Sequence, residues 1–185
     1  MKAIGHFRTI TKHKMLVMKY CFKIGLYKQG FLHDLSKYTP VEFFAGCKYY
    51  QEGARSPNNA QREIMGYSAA WLNHKGRNKH HNEYWIDYGL NTPEPIVGVK
   101  MPRKYMAEMI IDRMCASMNY EKSNYNARSS LLYYERGKDK MIMHEKSKIE
   151  LEFLLHKLAD EGEEVLLSYL KKVYLKKKET KSVIA

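Results

Sequence analysis

Residues 104–118 read KYMAEMIIDRMCASM, and this stretch decides the fold class. Met106, Met109, Ile110 and Met114 fall three or four apart, the spacing of a helix rather than the two-residue alternation of a strand. The same spacing recurs at Ile10, His13, Leu16, Val17, Tyr20, Cys21, Ile24 and Leu26, which predicts a first helix ending near Gly25 or Gly30. Thr39-Pro40-Val41-Glu42 combines a capping threonine, a proline at the first position and an early glutamate, so a helix is expected from there through Tyr50. Residues 53–59 (GARSPNN) are expected to be a loop. A helix over 60–73 is expected to turn Ile64, Tyr67, Ala70 and Trp71 inward.

Beyond it, 73–81 has the glycine-interrupted polarity of a helix end and turn, and 82–88 fits a short helix. Residues 91–102 hold three of the five prolines and form a connector. Further helices are expected over 129–136 and from His144 to about Leu175. With no sustained strand alternation, the expected fold is all-α, a bundle of about six to eight helices.

At 185 residues the chain fits one domain, which we place at residues 1–170, followed by a lysine-rich tail at 171–185. A 44% hydrophobic share with 12% aromatic excludes global disorder. Cys21, Cys47 and Cys115 are isolated, which excludes a zinc ribbon and disfavours a disulfide scaffold. No apolar run is long enough for a membrane span and no leader opens the chain, so a cytoplasmic location is expected. The formal net charge is +12, and the tail, with six lysines against one glutamate, supplies +5 of it. Such a charge implies an anionic partner: a nucleotide, a nucleic acid or a membrane surface.

Histidines and aspartates carry the chemistry, in the order His13, His33-Asp34, His74, His80-His81, Asp112. An aspartate in apolar surroundings needs a cation or several donors, and a divalent metal is the strongest such partner. Imidazole and carboxylate together suit Mn, Fe, Co, Ni or Zn. Glu108, one turn before Asp112 on the same face, is a candidate base or a carboxylate supporting the ligands. Simpler readings exist for each residue. The doublet can be a helix cap, His13 a satisfied core residue and Asp112 a partner of Arg113 or Lys104. The loop histidines can join Lys75, Arg77 and Lys79 in a basic surface.

The order His … His-Asp … Asp on separate helices resembles the HD-domain superfamily of metal-dependent phosphohydrolases. The resemblance implies a helical HD-like bundle with one divalent ion at His13, His33, Asp34 and Asp112. Two-metal members add a histidine and then a His-His pair, which His74, His80 and His81 match in order. The box His33-Asp34-Leu35-Ser36-Lys37 matches the HD-x-x-K form, with serine where two-metal members commonly have glycine. Carried over residue by residue, Asp34 and Lys37 become catalytic candidates, joining Glu108, which its place one turn before Asp112 already suggests. Lys37, Lys75, Arg77 and Arg113 become candidates for substrate phosphates, and Tyr38, Tyr84 and Trp85 for stacking a base.

The implied cofactor is one or two divalent ions (Mn, Fe, Co, Ni, Zn or Mg), and the implied substrate a nucleotide or related phosphorylated small molecule. HDLSKY, WLNHKGRNKHHNEYW and EMIIDR also resemble a group of short bacterial and phage proteins of unknown function. Two other functions fit the sequence: a basic helical protein that binds nucleic acid or a protein partner, or an HD-type fold that keeps its ligand without turnover.

Overall fold

The computed structural model describes residues 2–176. Eight α-helices account for most of them: α1 (Lys2–Lys23), α2 (Tyr27–Leu32), α3 (Pro40–Lys48), α4 (Pro57–Met65), α5 (Ala69–Lys75), α6 (Arg103–Glu121), α7 (Ser129–Glu135) and α8 (Glu145–Tyr169). The fold is an all-α bundle, as the spacing predicted. Its one sheet among the described residues is a two-stranded antiparallel ribbon, β1 (Ile86–Tyr88) against β2 (Ile96–Gly98), with Asp87 opposite Val97. This ribbon corrects the expectation of a helix over 82–88. Only Asn82–Trp85 form a helical turn, and the connector returns to pair with the strand that follows.

The stretch that decided the fold class is the centre of the bundle. Met106, Ile110, Ile111, Met114 and Cys115 are all fully buried, because α1, α7 and α8 pack around α6. A helix apolar on most of its circumference is stable only in such a position. Val17 and Cys21 of α1 and Leu151, Leu154, Leu155 and Leu158 of α8 complete the core. Each such side chain contributes about 1.5–3 kcal/mol on burial.

The expected helix over 60–73 is two helices. Gly66, at φ 77°, ends α4 in the left-handed conformation that glycine adopts freely. Ser68 then starts α5 by accepting a hydrogen bond from the Trp71 backbone N–H. The break turns Ile64 and Tyr67 outward, 71% and 53% exposed, against the expectation that they face inward. Proline at the first position starts α4 inside the expected loop, at Pro57. The last helix bends at Gly162 and ends in a wider π-turn over Leu170–Tyr174. Of the lysine-rich tail, residues 177–185 lie outside the described residues.

Candidate metal centre

His13 projects from the inner face of α1, which buries His6, Ile10, His13, Val17 and Cys21 at helical spacing. Asp112 faces it from α6, with His13 Nε2 2.9 Å from Asp112 Oδ1. His33 and Asp34 occupy the sharp corner between α2 and the 3-10 turn Leu35–Tyr38. Asp34 adopts φ 54° and ψ 24°, a left-handed conformation uncommon outside glycine and best tolerated by aspartate and asparagine. His74 comes from the last turn of α5, and His80 and His81 from the turn that follows.

These seven side chains converge into two groups whose ligand atoms all lie within 4.8 Å of one another. One comprises His13, His33, Asp34 and Asp112, and the other Asp34, His74, His80 and His81. Asp34 belongs to both. Its Oδ2 is 3.3 Å from His33 Nε2 and 3.7 Å from His13 Nε2. Its Oδ1 is 3.3 Å from His74 Nε2 and 3.5 Å from His80 Nε2. Asp34 precedes the 3-10 turn but its side chain makes no capping hydrogen bond to it, and His33 is no surface histidine: both residues are 2% exposed.

The outer edges of three of the rings are already satisfied. Glu108 Oε1 accepts from His33 Nδ1 at 3.0 Å and from His80 Nδ1 at 3.1 Å. Glu42 Oε2 does the same for His74 Nδ1 at 2.7 Å, while its Oε1 accepts from Asn73 Nδ2 at 2.6 Å. A carboxylate on Nδ1 keeps the proton there and turns the Nε2 lone pair toward the shared centre. Oδ2 of Asp34 is held by the Lys37 ammonium, while Nε2 of His33, Nε2 of His80 and Oδ1 of Asp34 are buried without a hydrogen bond. Buried polar atoms are rarely left so. They are the atoms that a cation would use, and these buried clusters can hold a metal ion.

Charge points the same way. Four carboxylates (Asp34, Glu42, Glu108 and Asp112) stand against Lys37, Arg113 and the less buried Lys14. Burial alone would raise the pKa of Asp34 and of Asp112 but is outweighed. His33, Lys37 and His74 hold the Asp34 carboxyl well below the usual range, and His13 and His33 do so for Asp112. Burial lowers His13 and His81, the latter also through His80 and His74. It is overcome at His33 and His74 chiefly by Asp34, so both imidazoles are pushed up and take part of the countercharge. Neutrality thus requires either protonated imidazoles or a cation in their place.

Lys37 Nζ is 2.5 Å from Asp34 Oδ2. Burial alone would lower its basicity, but Asp34 and Asp112 raise it, and the ammonium stays charged. Lys37 and Arg113 both line a cavity of about 640 Å³ that also takes in His13, His74, His81 and Asp112. Tyr50, Trp71, Tyr120 and Tyr133 add aromatic surface to it.

The other phosphate candidates are not brought there. Lys75 and Arg77 lie outside the cavity lining, Arg77 exposed and donating to the Asn73 carbonyl, because the turn after α5 directs its histidines inward and its cations outward. The expected stacking residues are also elsewhere. The Tyr38 hydroxyl pairs with Thr11, Trp85 Nε1 donates to the Lys79 carbonyl, and Tyr84 sits edge-on to Trp85. Glu108 takes the supporting position, behind the rings of His33 and His80. Sequence reasoning missed Glu42, since an acid in the first turn of a helix is favoured by the helix dipole alone and carries no separate signal.

A family model described as "Family of unknown function (DUF5662)" matches residues 2–157, a span that includes all seven converging side chains. No curated protein and no solved structure matches the chain.

Proposed function

The chain belongs to this family of unknown function, so its activity has to be read from the site, and we propose that it is a metal-dependent phosphohydrolase. Its substrate would be a nucleotide or a related phosphorylated small molecule. One observation carries the reading: two buried ligand groups share Asp34, and Nε2 of His33, Nε2 of His80 and Oδ1 of Asp34 face their centre without a hydrogen bond while Glu42 and Glu108 hold the outer nitrogens of His74, His33 and His80. In this reading His13, His33, Asp34 and Asp112 hold one divalent ion, and Asp34, His74, His80 and His81 a second. Carboxylate–imidazole sets suit Mn, Fe, Co, Ni or Zn better than the all-oxygen preference of Mg. Ions so held supply Lewis acidity at a phosphoryl oxygen and lower the pKa of water.

The chain's own residues do the rest. Arg113 lines the cavity beside Asp112 and in this reading would clamp phosphate oxygens in two parallel hydrogen bonds. Lys37 offers a compact positive charge at the edge of the Asp34 carboxylate, where negative charge builds on the transferred group. Glu108 and Glu42 position histidines and touch no substrate. The aromatic lining of the cavity offers faces for a base or another flat group.

The test is metal analysis of protein purified without a histidine tag, combined with turnover of p-nitrophenyl phosphate, its bis-ester and a panel of nucleotides. One or two equivalents of transition metal, with metal-dependent hydrolysis abolished in Asp34→Ala, supports the reading. Stably folded protein that takes up no metal on titration refutes it.

A further inference from the structure

We propose that the outer face of α1, with the adjoining end of α2 and the 3-10 turn after it, is a docking surface for an anionic lipid bilayer. While the inner face of α1 is in the core, Ile4, Phe7, Met15 and Phe22 point away from it, 60%, 48%, 52% and 39% exposed. At 100° per residue these four fall within about 80° of arc, a second apolar stripe on a helix that already has one buried. Phe31 and Leu35 extend the stripe sideways, 64% and 45% exposed. The extension is continuous: Met18 and Phe22 lie against Gly30 of α2, Lys14 Nζ donates to the Phe31 carbonyl, and Phe7 sits edge-on to Tyr38 in the turn. Exposed apolar side chains in one such band mark an interaction site rather than ordinary surface.

Charge identifies the occupant. No aspartate or glutamate occurs before Asp34, whereas residues 2–28 carry seven lysines and arginines. Four of these, Arg8, Lys12, Lys19 and Lys23, occupy the next roughly 60° of arc beside the stripe. A cationic band flanking an apolar one suits a surface that is anionic outside and hydrocarbon within. A second copy of this face would bring like charges together. A nucleic acid would satisfy the cations but bury little of Ile4, Phe7 and Phe31. α1 would lie in the bilayer interface, as amphipathic helices do with their apolar side immersed about 5–10 Å, and His13 would keep its inward orientation.

Flotation of the full chain with vesicles tests this. Phosphatidylcholine vesicles carrying phosphatidylglycerol are expected to carry the protein upward at low salt, and vesicles of phosphatidylcholine alone to leave it behind. Phe7→Ser with Phe31→Ser should weaken binding ~10-fold or more, with helicity and metal content unchanged, since both rings are exposed. Lys12→Gln with Lys19→Gln should weaken the salt-sensitive part of binding, roughly fivefold per lysine, with Arg8 and Lys23 keeping the rest. Absence of flotation with anionic vesicles overturns the proposal. So does flotation that the Phe7, Phe31 pair leaves unchanged, which would assign binding to other cations such as the lysine-rich tail. A DNA affinity that outcompetes the vesicles and survives loss of both phenylalanines overturns it in favour of nucleic acid.

Discussion

Asp34→Asn is the most informative single change, because asparagine keeps both the volume and the tolerance for left-handed backbone that φ 54° demands. What it removes is the charge shared by both ligand groups. If the centre holds metal, wild-type protein at free metal a thousandfold above the dissociation constant gains about 4.1 kcal/mol from ligand linkage. For a chain of this length each kcal/mol shifts Tm by about 2–4 °C, so metal should raise it by about 8–16 °C. The variant should show almost none of that rise. Without metal the change also has a cost, since it breaks the buried Lys37 ion pair and the contacts to His33, His74 and His80. Removing one partner of a buried pair costs about 3–5 kcal/mol. Lys37, whose side chain is 29% exposed, can regain some hydration, which puts the cost at the lower end. The assay is thermal unfolding of chelator-stripped wild type and variant with and without Mn, Co or Zn. Equal metal-induced shifts in the two proteins, or no shift in either, would refute the reasoning.

Glu108→Gln and Glu42→Gln should each weaken metal binding about 10–100-fold in chelator competition with little change in fold, because the ring nitrogens lose a charged acceptor but keep a neutral one. Unchanged affinity in both would show that these carboxylates do not set the imidazoles. Arg113→Lys should lower kcat/KM for a phosphomonoester about 10–100-fold, the loss of one charge-assisted bidentate contact, whereas Arg77→Ala should leave it within about twofold. Equal sensitivity would place substrate on the outer surface of the turn. His6 provides a pH signature. Burial first, and Lys37 second, lower its pKa from 6.5 to about 4. The unfolded chain therefore takes up the proton before the folded one, and the His6 contribution is complete above pH 6.5 and lost as pH falls toward 4. Chemical unfolding of metal-free His6→Phe across that window should show a shallower loss of stability than wild type, and parallel curves would exclude this source.

Helix spacing exposed the bundle and residue chemistry exposed the side chains that converge, but neither revealed direction. Residues 60–73 fit one helix by periodicity. The turn at Gly66 and the new cap at Ser68 change the phase, so Ile64 and Tyr67 face out while Ala70 stays in the core. Lys75 and Arg77 stand next to His74 in sequence, yet consecutive positions on a helix end and turn point to different sides, and only the histidine reaches the centre. Arg113 does reach the cavity beside Asp112, although the sequence named it on the same footing as Lys75 and Arg77. Glu42 could not be placed from the sequence, since its contact with His74 spans 32 positions and depends on how α3 packs against α5.

The backbone strain and the charge surplus explain each other. A left-handed aspartate costs of order 1–3 kcal/mol, and such strain persists only where surrounding structure holds it. At Asp34 it lets adjacent residues serve different ends. His33 backs onto Glu108, and Asp34 extends one oxygen toward His13 and His33 and the other toward His74 and His80. A relaxed corner would move the carboxylate off one group or the other. Gathering this much negative charge is unfavourable for an empty protein, which must hold His33 and His74 with raised proton affinity to tolerate it. Metal loading should therefore release protons and weaken as pH falls. A purely structural histidine cluster would need neither the strained corner nor the surplus of carboxylates.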